Sequence, residues 1–298
     1  MANSITGVND DIISAGILRG FTKKIAPLAA FTTDFSSDVV RKGDRVSILR
    51  DNTAIDAVQT KVTHADYTIQ DADSDSVEVV MGQPEYVSWS LDDTEIANSS
   101  VVNLGVYGER KGNALATSVF QDITSEITNA NFGAAAFTGA ATAFDSDDVI
   151  DIKDACDDAD WMDEDRWLIL SNAYYNALLK DDAIKASDAF GGMEAIRAGQ
   201  IPTLMGFKVL SSNIIPANGE NLVGFAAHSS AIAIAMRYLQ PQEGNKYNRA
   251  EPISEPSGMT LGLRDWYDEN SGVRKRLVEA VYGYETGIGT AIKRIVSA

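Results

Sequence analysis

The sequence predicts an α+β protein, elongated rather than compact, on three observations. The stretch from Arg166 to Pro216 reads as a buried strand (Trp167 to Leu170), a helix (Asn172 to Lys180), a polar loop with a short helix ending at Arg197-Ala198-Gly199, a turn at Met205-Gly206-Phe207 and a second strand from Lys208 to Ser212. Apolar residues at Ile96, Leu104, Tyr107, Leu115, Val119, Ile123 and Ile127 recur mostly in steps of three, four or their multiples. They mark a helix of about 35 residues, about 50 Å long. Alternation at Val46 and Ile48, then at Val77, Val79 and Met81, and again at Val87, Trp89 and Leu91, puts strands around a polar, Asp- and Thr-rich excursion from Arg50 to Ser76. A compact globule of 298 residues has a radius of gyration of about 19 Å. It does not enclose that helix together with a hairpin of up to about 20 residues at about 3.3 Å each. The chain is therefore expected to place its extended parts on other copies of itself.

In order along the chain, residues 1–40 read as an arm. Asp10 to Arg19 forms a short helix with Ile12, Ile13, Ile17 and Leu18 on one side, Pro27 interrupts the segment after it, and nothing there makes a core of its own. Gly43-Asp44 opens the strand Arg45 to Leu49, and Gly82 and Pro84 turn the chain between the later strands. The long helix starts at Asp92-Asp93-Thr94, with Thr94 or Asp93 as cap and Glu95 suited to the positive end of the helix dipole, and ends before Gly133. Gly105, Gly108 and Gly112 each weaken it by about 1 kcal/mol relative to Ala, so a bend is expected there. Ala134 to Ala143 is a small-residue linker. Asp145 to Asp160 is a second helix, capped by Ser146 or Asp145, with the apolar stripe Val149, Ile152, Cys156. Leu222 to Ala226 reads as a buried strand and Ser229 to Met236 as an apolar helix. Pro241 to Ser257 is loop-rich, with prolines at 241, 252 and 256. Alternation at Met259, Leu261 and Leu263 runs towards Trp266 and Tyr267, a turn spans Asp268 to Gly272, and Val273 to Tyr284 and Ile292 to Val296 are the last strands.

Composition excludes several classes. With 45% hydrophobic residues the chain suffices for one large domain or two intertwined ones. The net charge of -18, from 43 acids against 25 bases, lacks the basic footprint of a dedicated nucleic-acid binder. A single cysteine, Cys156, makes no internal disulfide and is read as a buried, inert thiol. The terminus MANSITGVNDD shows no basic region followed by an apolar one, and the longest apolar run, Ala226 to Met236, is short and carries His228, Ser229 and Ser230. It falls well below the roughly 20 residues of a membrane span. A cytoplasmic protein with no membrane partner is expected.

The chemistry is sparse. His64 and His228 lie in different kinds of segment, and His228 is read as structural or capping. Two histidines and one cysteine do not make a zinc site of the usual type. Gly287-Ile288-Gly289 is too short for a dinucleotide fingerprint, and neither a Walker loop nor a Gly-x-Ser-x-Gly elbow is present. Asp71-Ala72-Asp73-Ser74-Asp75-Ser76 begins like a calcium loop, but Ser76 stands where glycine is required and Gly82 where the final Glu belongs. It is read as a solvated acidic tip, as is the run Asp157, Asp158, Asp160, Asp163, Glu164, Asp165, with weak divalent binding as the other reading of both. Alternation puts Arg274 and Arg276 on one face of a strand, either solvated or meeting carboxylates on a neighbouring copy. No catalytic residue, cofactor site or metal site is nominated.

The order of segments carries a resemblance. An arm is followed by GDRVSI and a long hairpin, then VEVVMGQPEYVSWSLDD and a long helix. RWLILSNAYYNALL, IRAGQIPTLMGFKVLSSNIIP, NLVGFAAHSSAIAIAM and a strand pair ending in VYGYETG complete it. This resembles the major capsid protein of tailed bacteriophages, with the Hong Kong 97-type fold, over nearly the whole chain.

The resemblance implies an N-terminal arm at 1–40, an extended loop with flanking strands at 41–92, a peripheral domain with its spine helix and linker at 93–144, an axial domain at 145–257 and returning peripheral strands at 258–298. It implies hexamers and pentamers of the chain closing an icosahedral shell around double-stranded DNA, without sequence-specific binding. The amino terminus leaves no room for the cleaved scaffolding region of some relatives, so a separate scaffold protein is implied, beside a portal. No Lys and Asn pair is nominated for the covalent cross-links that some relatives form. Expected contacts between subunits are Val46, Ile48, Val87 and Trp89 at the hairpin base, Asp66, Asp71, Asp73 and Asp75 at its tip, and Arg274 and Arg276. An encapsulin-like nanocompartment shell shares the fold and is the near alternative. A soluble metal-dependent hydrolase using an Asp cluster is the distant one.

Overall fold

The computed structural model describes residues 6–40, 45–50, 75–82, 84–92, 101–185, 201, 203–239, 249–254, 260–268, 270 and 272–298. Long alternating or fully apolar runs become strands, and these form two six-stranded sheets. The first has the order β1-β10-β13-β12-β11, with β4 also paired to β13. Its strands are β1 (Thr32–Val40), β4 (Glu85–Asp92), β10 (Ile232–Leu239), β11 (Arg249–Ser254), β12 (Thr260–Asp268) and β13 (Val273–Thr286). Strand β13 organises this sheet. Its first half, Val273 to Ala280, pairs with β4, and its second half, Val281 to Thr286, pairs with β10. Only the β1–β10 pair is parallel.

The second sheet has the order β5-β14-β9-β6-β8-β7. It comprises β5 (Ala135–Thr138), β6 (Trp167–Ser171), β7 (Thr203–Leu204), β8 (Phe207–Ser212), β9 (Leu222–Ala227) and β14 (Ile292–Val296). The strand–helix–strand unit expected between Trp167 and Ser212 is present, with β6 and β8 parallel and Trp167 opposite Lys208. The turn at Met205-Gly206 is a two-residue hairpin with φ of 51° and 90°, the left-handed pair that a type I′ turn demands. The short helix expected to end at Gly199 lies outside the described residues. A separate two-stranded ribbon, β2 (Arg45–Arg50) with β3 (Asp75–Val80), is the base of the long hairpin.

Six α-helices appear among the described residues: α1 (Thr6–Ile25), α2 (Val101–Ser125), α3 (Asn129–Phe132), α4 (Ser146–Asp157), α5 (Asn172–Lys180) and α6 (Asp182–Lys185). On α4, Asp145 is the cap, completing a capping box with Asp148, and the stripe Val149, Ile152, Cys156 is fully buried. Helices α4 and α5 cover one face of the second sheet, packing on Leu168, Leu170 and Phe207. The other face joins the main core through Ile169, Phe225 and Ile292. There it meets the apolar stripe of α2 (Leu115, Val119, Phe120, Ile123) and the buried face of the first sheet.

Three expectations are corrected. Helix α1 runs for 20 residues, and Ile13, Ile17, Phe21 and Ile25 are at most 2% exposed. The segment expected to be an arm without a core therefore closes the core of its own chain. Helix α2 runs unbroken through Gly105, Gly108 and Gly112. A Cβ at Gly108 or Gly112 would lie 2.4 Å from the carbonyl oxygen of Ile13 or 2.1 Å from that of Ile17, so these glycines let two helix backbones touch. The apolar run after His228 is a 3-10 turn, Ser229–Ala231, and then strand β10, not a helix. A short apolar run buried on both faces has no period to tell the two apart. The sheets are not contiguous in sequence. β10 and β11 lie in the first sheet and the last strand, β14, in the second.

Candidate assembly interface

Alternation along β13 sorts its side chains onto two faces. Val278, Ala280 and Tyr282 enter the main core beneath α2, and Arg274 and Arg276 share their parity. Val281 faces the other way, packing with Val79, Met81, Ala233 and Ala235 where the hairpin ribbon crosses the sheet. The crossing is tight at Gly283, where a Cβ would lie 2.3 Å from the carbonyl oxygen of Val80, and Gly82 N–H donates to the Tyr282 carbonyl at 2.9 Å. The ribbon thus leaves the body at a site that only glycine allows.

The residues expected at the hairpin base divide between two places. Val46, in β2 opposite Val79, is half-buried against this small cluster, and Ile48 pairs with Val77 in the same ribbon. Val87 and Trp89 lie instead in β4, paired to β13, and pack into the main core of their own chain, Trp89 being 6% exposed. Asp75 begins β3, while Asp66, Asp71 and Asp73 lie outside the described residues. The sequence does not single out the exposed tyrosines Tyr86, Tyr107 and Tyr267 as candidates. Exposure on a half-buried strand or helix is a tertiary property that composition does not carry.

The arginine pair is corrected. Arg274 and Arg276 do share a face, but the carboxylate that meets them is Asp265 of the same chain, fully buried. Arg274 donates from Nε at 3.0 Å and from Nη2, a two-point contact, and Arg276 Nη2 donates at 2.8 Å. Register explains the meeting, since β12 places Asp265 directly opposite Arg276 and β4 places Trp89 there on the other side. Burial alone would raise the Asp265 pKa, but the hydrogen bonds and charges of the two guanidinium groups outweigh it and hold the carboxyl below its usual range. On the opposite face, Arg264 donates from Nε at 2.9 Å and Nη2 at 2.7 Å to Glu279, which lies over Gly262. Burial dominates there and pushes the Glu279 carboxyl up against the pull of Arg264. A signal for the first cluster was present, because Asp265 continues the apolar alternation of Leu261 and Leu263.

The remaining groups are structural. His228 caps the 3-10 turn, its Nδ1 accepting from Ser230 N–H at 3.4 Å. Burial pushes its pKa down, with Asp165 opposing and Arg166 reinforcing. Burial pushes the Cys156 thiol up to about 12. The acidic run at 157–165 is not wholly solvated, since buried Arg166 pairs with Asp157 and Asp163, and Lys208 pairs with Asp165. Among the described residues no group of three or more His, Cys, Asp or Glu is arranged to hold a metal ion, and no helix is long and apolar enough to cross a membrane.

Residues 87–284 match a family model described as phage capsid protein. The chain belongs to the phage capsid protein family. The match runs from β4 to β13 and takes in the Asp265 cluster and all strands of the two sheets except β1 and β14. Solved structures extend the likeness of fold to nearly the whole chain. The capsid of the cyanophage P-SCSP1u is similar with a TM-score of 0.60 and 13% identity, over 90% of this chain and 86% of that one. The mature capsid of bacteriophage PhiM1 gives 0.59 at 11% identity over 90% and 86%, and the virus-like particle from Pyrococcus furiosus 0.52 at 12% identity over 95% and 97%. No curated protein matches the sequence. The fold of this capsid protein is the Hong Kong 97-type α+β fold, and its family and fold are those of structural proteins.

Proposed function

We propose that this capsid protein is the major capsid protein of a tailed double-stranded DNA bacteriophage, assembling as hexamers and pentamers into a closed icosahedral shell in the host cytoplasm. The observation that carries the reading is the family match over residues 87–284, which takes in the long helix and most strands of both sheets. The acidic balance supports it, because a wall with a net charge of -18 does not grip the DNA it surrounds. Many modest contacts, multiplied by closure, stabilise such a shell. The first sheet with α2 serves as the peripheral domain, the second sheet as the axial domain, and the hairpin carrying Asp66, Asp71, Asp73 and Asp75 reaches a neighbouring subunit, steadied at its base by Val46 and Ile48. A scaffold protein and a portal are the expected partners.

Electron microscopy of the expressed chain, with size-exclusion chromatography, tests this. Capsomers or megadalton closed particles are expected, and a small oligomer as the only species overturns it. The likeness to a virus-like particle supports a second reading, a nanocompartment enclosing protein cargo. Particles from the natural source that contain protein and no DNA would establish that reading instead.

A further inference from the structure

The segment that follows α2 is held to the second sheet and the loop before β9 by a small set of directional bonds. The chain leaves α2 at Ser125, makes the single turn α3 and enters β5. Glu220, in the loop before β9, accepts the N–H of Asn129, the first residue of α3, at 2.9 Å. Arg294, on β14, donates from Nη1 to the carbonyl of Gly133, just past the end of α3, at 2.8 Å. The two side chains are paired with each other. A carboxylate at the start of the turn and a guanidinium at its end match the sense of its dipole. Asn218 adds a third tie, its Nδ2 donating to the carbonyl of Ile127 at 2.7 Å. The loop that presents these groups is bent through left-handed backbone at Asn218, Gly219 and Asn221, with φ of 42°, 77° and 55°.

Beneath the clamp the contact is apolar, with Ile127 and Phe132 against Ile214, Leu222 and Ile292. Apolar burial holds the two parts together but is non-directional. Hydrogen bonds are directional, and a buried ion pair contributes little net stability compared with well-packed apolar residues. The Arg294 side chain is 4% exposed and that of Glu220 34%, so the pair sits at the edge of the core, where its directional bonds add geometry. Shell curvature depends on the angles within each subunit, because every contact repeats them.

We propose that Glu220, Arg294 and Asn218 are positioning residues for assembly, fixing the angle at which the long helix meets the second sheet and thereby the curvature of the shell. This rests on the shell-forming function proposed for the chain.

The test compares particle diameters by electron microscopy, thermal unfolding, and small-angle scattering of unassembled subunits for the full chain and for Glu220→Ala, Glu220→Gln and Asn218→Gly. Glutamine keeps an acceptor for the Asn129 N–H, and glycine accepts the left-handed backbone at 218 without the side chain. The expected result is loss of a single particle diameter in Glu220→Ala and Asn218→Gly, with Glu220→Gln close to the unaltered chain and the variant subunits still folding. Shells of unaltered diameter and spread from both disruptive variants overturn the proposal. If Glu220→Ala does not fold, Asn218→Gly decides alone. If the unaltered chain forms no shell, the functional reading fails, and scattering still decides the clamp: a broadened distance distribution in Asn218→Gly supports it and an unchanged one overturns it.

Discussion

Asp265 ties two strands of the first sheet together, because one buried carboxylate answers two arginines on the neighbouring strand. Removing one partner of such a cluster leaves buried charge uncompensated and costs about 3–5 kcal/mol. Asp265→Ala is therefore expected to lower the unfolding free energy obtained from chemical denaturation by an amount in that range, and a change within error of zero would refute the assignment. The sign of the pH dependence follows from the lowered carboxyl. Its contribution is fully present above the ordinary Asp value of about 3.9 and is lost as pH falls through the lower native value. Asp265→Asn should accordingly lose less stability than the unaltered chain on acidification from about pH 5 to pH 2. Glu279 has the opposite sign. Its raised native value means that its contribution is greatest at acid pH and declines as the group ionises. Cys156, fully buried with its thiol pushed up to about 12, should resist alkylation at neutral pH until the protein is unfolded, and rapid labelling of native protein would contradict its placement. Cys156, the cap at Asp145 and the capping role of His228 were legible in sequence, since each depends on neighbours within one turn of helix. Alternation with Leu261 and Leu263 signals that Asp265 faces the core, but its pairing with Arg274 and Arg276 was not legible, because it depends on strand register.

At the scale of elements, the contact between α1 and α2 decides how the amino-terminal segment behaves. Helix propensity predicts that any glycine to alanine change in α2 stabilises it by about 1 kcal/mol. Packing reverses the sign at Gly108 and Gly112, where a methyl group would enter the backbone of α1, but not at Gly105, where it would sit 3.5 Å from the Ile12 side chain. Gly108→Ala and Gly112→Ala are expected to destabilise and Gly105→Ala to be neutral or stabilising, as read from denaturation midpoints. Three equal effects would show that the helices do not touch. Glycines every three or four residues are visible in the sequence but read there as weak points, because the second helix that explains them lies about ninety residues away. Strand β10 reads as a helix for a related reason: buried on nearly all sides, it lacks the alternation that marks a half-buried strand.

For the whole molecule, the hairpin and the body are separable in energetic terms. The ribbon base packs on the first sheet through Val79, Met81 and Val281, while the sequence of the excursion between β2 and β3 is polar. Deleting Asn52 to Ser74 is expected to leave a soluble, folded subunit that forms no shells, and closed particles of that deletion in electron micrographs would sink the idea.

The sequence alone determined the α+β class, the strand–helix–strand unit between Trp167 and Ser212, the capped helix after Asp145, the final strands and the order of segments that places the chain among phage capsid proteins. All of these are written in local periodicity, capping and turn chemistry, which act over a few residues. Only the tertiary structure decided that the amino-terminal helix packs into the core of its own chain, that the run after His228 is strand β10 of the first sheet, and that Asp265 meets two arginines while Glu220 pairs with Arg294. Those outcomes depend on which distant segments meet and in what register, and the free energy that selects them comes from burial shared by residues far apart in the chain.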